Sequence, residues 1–111
     1  MHSVFSDGSV CPDIRVEEAK KDGLDVIAIT DHLEYQPWKD DIPHPNRNRS
    51  YEYHSKFAKG SNIIVINGSE ITRDMPPGHS NAIFIKDANK LITDDPIDAY
   101  REARKQGAFI F

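Results

Sequence analysis

The chain has 111 residues, 18 acidic against 14 basic, for a formal net charge of −4. That length makes one domain at most. The interspersed, mildly acidic charge has no basic patch to attract nucleic acid in bulk, and no apolar run reaches the length of a membrane span or resembles a signal peptide. Cys11 is the only cysteine, so no internal disulfide can form, and a reducing, cytoplasmic setting is expected.

The opening stretch "MHSVFSDGSV" gathers His2, Ser3, Ser6 and Asp7, with Gly8 as a turn residue. It reads as part of a site rather than as a frayed terminus. Pro12 suits the first position of a helix, the run from Asp13 to Asp22 continues it, and Gly23 stops it. "LDVIAIT" is short, apolar and rich in β-branched residues, the pattern of a strand buried on both faces in a parallel sheet. "EYQPWKDDIPHPNRNR", with three prolines, reads as a long loop. Ser50 is placed to cap a helix running to about Lys59 and ended by Gly60.

"NIIVINGSEIT" reads as a second buried strand, "RDMPPGH" as a turn and "NAIFI" as a third strand. Asp95 and Pro96 start another helix that Gly107 ends, and "AFIF" begins a further strand. Strands alternating with helices predict an α/β fold with mainly parallel strands and a local antiparallel hairpin near residues 70–85. There is no repeat, low-complexity segment, second domain or linker. A final strand that stops in its apolar middle, after a site-like beginning, predicts that residues 1–111 are part of a larger domain. Such a part would expose strand edges and apolar surface.

In parallel α/β folds the functional residues collect where the strands end. Asp31 and His32 follow "VIAIT" directly, and Glu70 follows "IIVINGS". His79 lies across the "RDMPP" turn from Glu70, where a hairpin would set the two side by side. Imidazoles and carboxylates together suit zinc, manganese or iron. A carboxylate such as Glu70 can bridge two ions, which would clamp a phosphoryl group and activate a water.

Each residue also has a bland reading. Asp-His can cap a turn, Asp7-Gly8 is a turn on its own, Glu70 can be a solvated carboxylate, and His79 can be a loop histidine. Convergence on one face is what sets the group apart. His44, between prolines, and His54, inside an outer helix, have no partner ligands around them and are expected to be structural. Cys11 is expected to pack rather than to act as a nucleophile, since no histidine is placed to activate it. Tyr35, Trp38, Tyr51 and Tyr53 are expected to pack the long loop against the second helix.

"HSVFSDGS", "GLDVIAITDH", "GSEIT" and "GHSN", in that order, resemble the PHP (polymerase and histidinol phosphatase) domain family. Its members usually begin with Asp-x-His-x-His-Ser-x-x-Ser-Asp-Gly, and the match starts at the second histidine of that stretch, His2. The resemblance implies a distorted β/α barrel holding up to three divalent ions at the C-terminal strand face. His2 and Glu70 would serve the first ion and Asp7 and His32 the second. Glu70 would bridge to the third, with His79 as a further ligand. Asp31 and Asn81 would orient ligands or bound water. The later ligands, a histidine and an Asp-x-His, would lie beyond Phe111, so the chain matches only the first half of the family's domain.

What the resemblance implies is a metal-dependent phosphoesterase using water, with no protein nucleophile. Its expected substrate is a small phosphoester, and the nucleic-acid substrate of the polymerase-linked branch stays open beside it. Two rivals stand: a degraded, non-catalytic PHP module, and a hydrolase like the amidohydrolase barrels. The latter commonly bridge their metals with a lysine, where this sequence has Glu70.

Overall fold

A computed structural model describes residues 1–111. In chain order the elements are α1 (Pro12–Lys21), β1 (Val26–Ile29), α2 (Arg49–Ala58), β2 (Ile64–Ile71), β3 (Ser80–Ile83), a 3-10 turn (Ala88–Leu91), α3 (Pro96–Lys105) and β4 (Phe109–Ile110). Pro12 and Pro96 open α1 and α3 as expected, because a helix leaves its first N–H groups unpaired in any case. Asp95 caps α3 through its side chain, which accepts from the Ile97 N–H at 2.8 Å. The 3-10 turn was not expected; Asp87 caps it by accepting from the Asn89 N–H.

The four strands form one sheet in the order β1-β2-β3-β4. β1 and β2 are parallel, from Val26↔Ile64 to Ile29↔Asn67. β2 and β3 are antiparallel, from Gly68↔Ile83 to Ile71↔Ser80, and so are β3 and β4. Hence β1, β2 and β4 point one way and β3 alone points the other, which is the hairpin expected near residues 70–85. β2 uses its first half against β1 and its second half against β3, and changes over at Gly68. A Cβ there would stand 2.7 Å from the Ile29 carbonyl oxygen and 2.9 Å from that of Ala82, so only glycine lets both neighbouring strands close in.

Helices cover one face of the sheet. Val16 and Ala19 of α1 and Ala58 of α2 pack on Ile27 and Ile29, while a second cluster joins Leu33, Ile71, Ala82, Leu91 and Ala99. The other face departs from the expectation of strands buried on both sides. Val26 and Ile64, register partners, are 47% and 62% exposed. An apolar run shows that a strand can be buried twice, not that this chain supplies both covers.

Two further expectations need correction. Ser50 does not cap α2; Asn48 holds that position, and Ser50 lies in the first turn with its hydroxyl directed elsewhere. Cys11 is exposed rather than packed. No helix is long and apolar enough to cross a membrane.

His54 of α2 is fully buried. Its Nδ1 bonds the Ser50 carbonyl at 2.8 Å, and its Nε2 has no partner. Burial pushes its pKa down, so the ring is held neutral while the unfolded chain takes up a proton below its ordinary value of 6.5. Unfolding then gains protons on acidification, and stability falls as pH drops through about 6.5. His54→Phe, which keeps the bulk and removes the orphan nitrogen, is expected to flatten that fall. Urea titrations at about pH 7.5 and about pH 5.5 check this; an unchanged pH dependence would assign the effect to other groups. Gly68→Ala is expected to lower stability by about 1–3 kcal/mol through overpacking between two backbones, read by the same titration.

Candidate metal centre

Met1 lies beside the end of β1, where its carbonyl accepts from the Thr30 N–H at 3.0 Å, and this places His2 next to His32. The chain then loops through Asp7 and turns back on itself, with the Val4 N–H bonded to the Val10 carbonyl at 3.1 Å. A Cβ at Gly8 would sit 2.7 Å from the Ser3 carbonyl oxygen, so the tightness of this loop requires glycine. An isolated bridge pairs His32 with Glu70 just past the β1–β2 ladder, and the hairpin adds His79.

These five side chains meet. Glu70 is the hub: Oε2 lies 3.0 Å from His2 Nε2, and Oε1 lies 3.3 Å from His32 Nδ1 and 2.7 Å from His79 Nδ1. Asp7 closes the far side, with Oδ1 2.8 Å from His2 Nδ1 and Oδ2 3.5 Å from His32 Nε2. His2, His32 and Glu70 each bring a ligand-type atom within 4.8 Å of the others, and Asp7 and His79 flank that trio. The hydrogen bond from the His2 ring holds the Asp7 carboxyl below its usual range; burial opposes this, and the His32 charge adds to it.

This donor set fits a divalent cation. Asp7 and Glu70 form ion pairs with imidazoles only. With neutral rings the cluster carries two negative charges and no lysine or arginine to offset them, a demand that a cation bound by nitrogen and oxygen donors meets. Asn81 adds a second observation. It stands directly opposite Glu70 across the β2–β3 pair, and its buried Oδ1 has no partner.

A separate carboxylate supports the cluster from behind. Asp31 is buried and accepts four hydrogen bonds: from the Ser3 N–H at 2.6 Å, Ser3 Oγ at 2.8 Å, Ser6 Oγ at 2.7 Å and Ser50 Oγ at 2.5 Å. His32 is steadied by Thr72, whose Oγ1 lies 2.6 Å from Nδ1. This is the kind of outer contact that fixes ring orientation at metal-type histidines.

A family model described as the PHP domain matches residues 1–107. The chain belongs to the PHP domain family. It is similar over its whole length, at 55% identity and a TM-score of 0.95, to a crystal structure from Bacteroides vulgatus described as a two-domain protein containing a predicted PHP-like metal-dependent phosphoesterase. A structure from Bifidobacterium adolescentis, proposed in its description to be a metal-dependent phosphoesterase, matches 82% of the chain at 27% identity and a TM-score of 0.61. The chain spans 32% and 28% of those two proteins. No curated protein matches it.

Within this PHP chain, the structure brings together His2, Asp7, His32, Glu70 and His79, with Asp31 and Asn81 adjoining. His44 and His54 stand apart. Both ring nitrogens of His44 face backbone carbonyls, of Ile42 and Phe5, at 2.6 Å each, which leaves none for an ion.

Three participants escaped the sequence reading. Thr72 follows Glu70 by two residues, a spacing that puts both on one face of a strand, and that signal was available. Ser50 was assigned to a helix cap. Tyr35 was assigned to packing, yet its ring meets His32 edge-on with centroids 5.7 Å apart. Of the other aromatic residues expected to pack the long loop on α2, Tyr53 instead meets Phe5 of the first loop, at 5.9 Å, and Trp38 is 46% exposed.

Asp31→Asn keeps the shape and removes the charge that four donors converge on. It is expected to cost about 2 kcal/mol of stability, the scale of bonds to a buried charged group, and to weaken divalent-ion binding by about 10–100-fold. Urea denaturation and calorimetric manganese titration of the same preparation check both. Stability lost with ion binding intact would limit Asp31 to the fold.

Proposed function

We propose that this protein is a metal-dependent phosphoesterase that cleaves a phosphate ester with water as the nucleophile. The observation that carries the reading is the convergence of three imidazoles and two carboxylates, from the first loop, β1, β2 and the hairpin, at one end of the sheet. Membership of the PHP family and the descriptions of the two similar structures support it.

Divalent ions, when bound, supply positive charge for the phosphoryl oxygens and lower the pKa of a water. The chain's own residues do the rest. His2, Asp7, His32, Glu70 and His79 would hold up to three ions of the zinc, manganese or iron kind, with Glu70 shared between ions. Thr72 fixes the His32 ring, and Asp31 fixes the loop that carries His2 and Asp7. Asn81 Oδ1, without a partner and beside Glu70, can accept a hydrogen bond from a water and so orient it. No cysteine or serine lies in the cluster as a nucleophile, in keeping with direct attack by water.

We read the substrate as a small phosphoester and the setting as cytoplasmic. We also read residues 1–111 as part of a distorted β/α barrel, on the strength of the open sheet face and the greater length of the matched structures.

Elemental analysis and hydrolysis of an aryl phosphate with added manganese or zinc test the proposal. Glu70→Gln is expected to release more than one ion, because a neutral amide bridges poorly, whereas His32→Ala is expected to weaken one. Both are expected to lower the rate by roughly 10²–10³-fold, the scale of removing one preorganised electrostatic group. Full metal content and activity in Glu70→Gln would refute the shared-ligand role.

A further inference from the structure

Beside the cluster lies an open cleft of about 370 Å³, lined by Glu34, Tyr35, Gln36, Pro37, Lys39 and Arg47. Tyr35 forms the wall between the two, edge-on to His32 and 52% exposed. Arg47 reaches further in, lining the small cavity that also borders His32 and Asp31.

The charges lining the cleft do not cancel. Glu34 is already engaged, pairing with Arg73 and accepting from the Thr72 N–H at 2.7 Å. The half-buried Arg47 has no carboxylate partner. Its Nε bonds the Leu33 carbonyl at 2.8 Å, and its Nη1 bonds those of His44 and Pro45 at 2.8 Å and 3.2 Å. Its hydrogen bonds go to neutral oxygens, the carboxylate acting on it is Glu34, which is already paired with Arg73, and Nη2 is left over. The Lys39 ammonium has no acidic partner either; Asp40 and Asp41 follow it in the chain but do not line the cleft. In a chain of net charge −4, a cleft lined by two cations and a single carboxylate, itself already paired with Arg73, therefore lies next to the cluster.

A planar guanidinium with a free N–H edge and a nearby ammonium together suit a phosphate or carboxylate oxygen set. Two cations in a short cleft do not make the basic stripe that a polyanion strand requires. We propose that this cleft binds a second anionic group on the leaving portion of the substrate. Arg47 Nη2 and Lys39 Nζ would grip that anion, and the Tyr35 ring would line the path between it and the scissile phosphoryl group. The inference rests on the phosphoesterase reading and narrows it to esters that carry two anionic groups.

Hydrolysis-inert probes separate the two claims. Benzylphosphonate offers one anion. Para-(carboxymethyl)benzylphosphonate and para-xylylene bisphosphonate add a carboxylate or a second phosphonate, each through a methylene on the para carbon, and so rank the two anion types. Calorimetry on the manganese-loaded protein is expected to show at least one dianionic probe binding about tenfold tighter than benzylphosphonate, a difference of about 1.4 kcal/mol. Lys39→Glu, at an exposed position, is expected to erase that preference by weakening the two-anion probes about tenfold more than benzylphosphonate. Equal binding of all three probes, or a preference that survives Lys39→Glu, overturns the cleft assignment alone. Failure of every probe to bind overturns the phosphoesterase reading and this inference with it.

Discussion

The arrangement of the site depends on one buried carboxylate. Asp31 stands at the end of β1 and faces the helices, and its oxygens collect the first loop through Ser3 and Ser6 and α2 through Ser50. Burying an ion costs several kcal/mol, and each hydrogen bond to a charged group returns about 1.5–3 kcal/mol. Four such bonds are on the scale needed to offset that cost. The larger effect is on arrangement, because any shift of the loop or of α2 leaves a buried charge short of donors. The donors are all neutral. A lysine in their place would fix the loop equally well, but it would put a positive charge behind the residues whose negative charge makes the cluster attractive to a cation.

Much of this architecture was legible in advance, and for identifiable reasons. β-branched apolar runs marked β1 and β2, proline starts and glycine stops marked α1 and α3, and positions at or near the C-terminal ends of the strands marked His32 and Glu70. Those signals are local, and local geometry enforces them. The family's first motif, matched from its second histidine onward, pointed to the loop carrying His2 and Asp7. What stayed hidden was relational. Ser50 looks like any helix-starting serine until Asp31 lies beneath it. Tyr35 looks like loop packing until His32 stands next to it. The open face of the sheet was invisible for the same reason, since Val26 and Ile64 are as apolar as Ile27 and Ile29 and only their neighbours differ.

The single reversed strand also has a purpose that its sequence alone does not declare. β3 turns back beside the second half of β2, and the ladder sets Asn81 opposite Glu70. His79 reaches Glu70 from the residue just before that strand. A crossover helix in place of the hairpin would have carried the chain to the other side of the sheet before returning. The hairpin instead concentrates three polar side chains within a dozen residues of sequence, and β2 is long enough to serve both neighbours because Gly68 admits their backbones.

The spread of these residues along the chain bears on the order in which the molecule assembles. Glu70 and His79 are nine residues apart, whereas Glu70 and His2 are separated by 68. Short loops close at little entropic cost and long ones at more, so the hairpin half of the cluster can form while the amino-terminal half is still unattached. Docking of the first loop onto Asp31 brings His2 and Asp7 to that half. A cation held by both halves would bind only once they have met, and would favour the folded state by mass action. Metal supply would then bear on how much of the protein is folded, as well as on its chemistry.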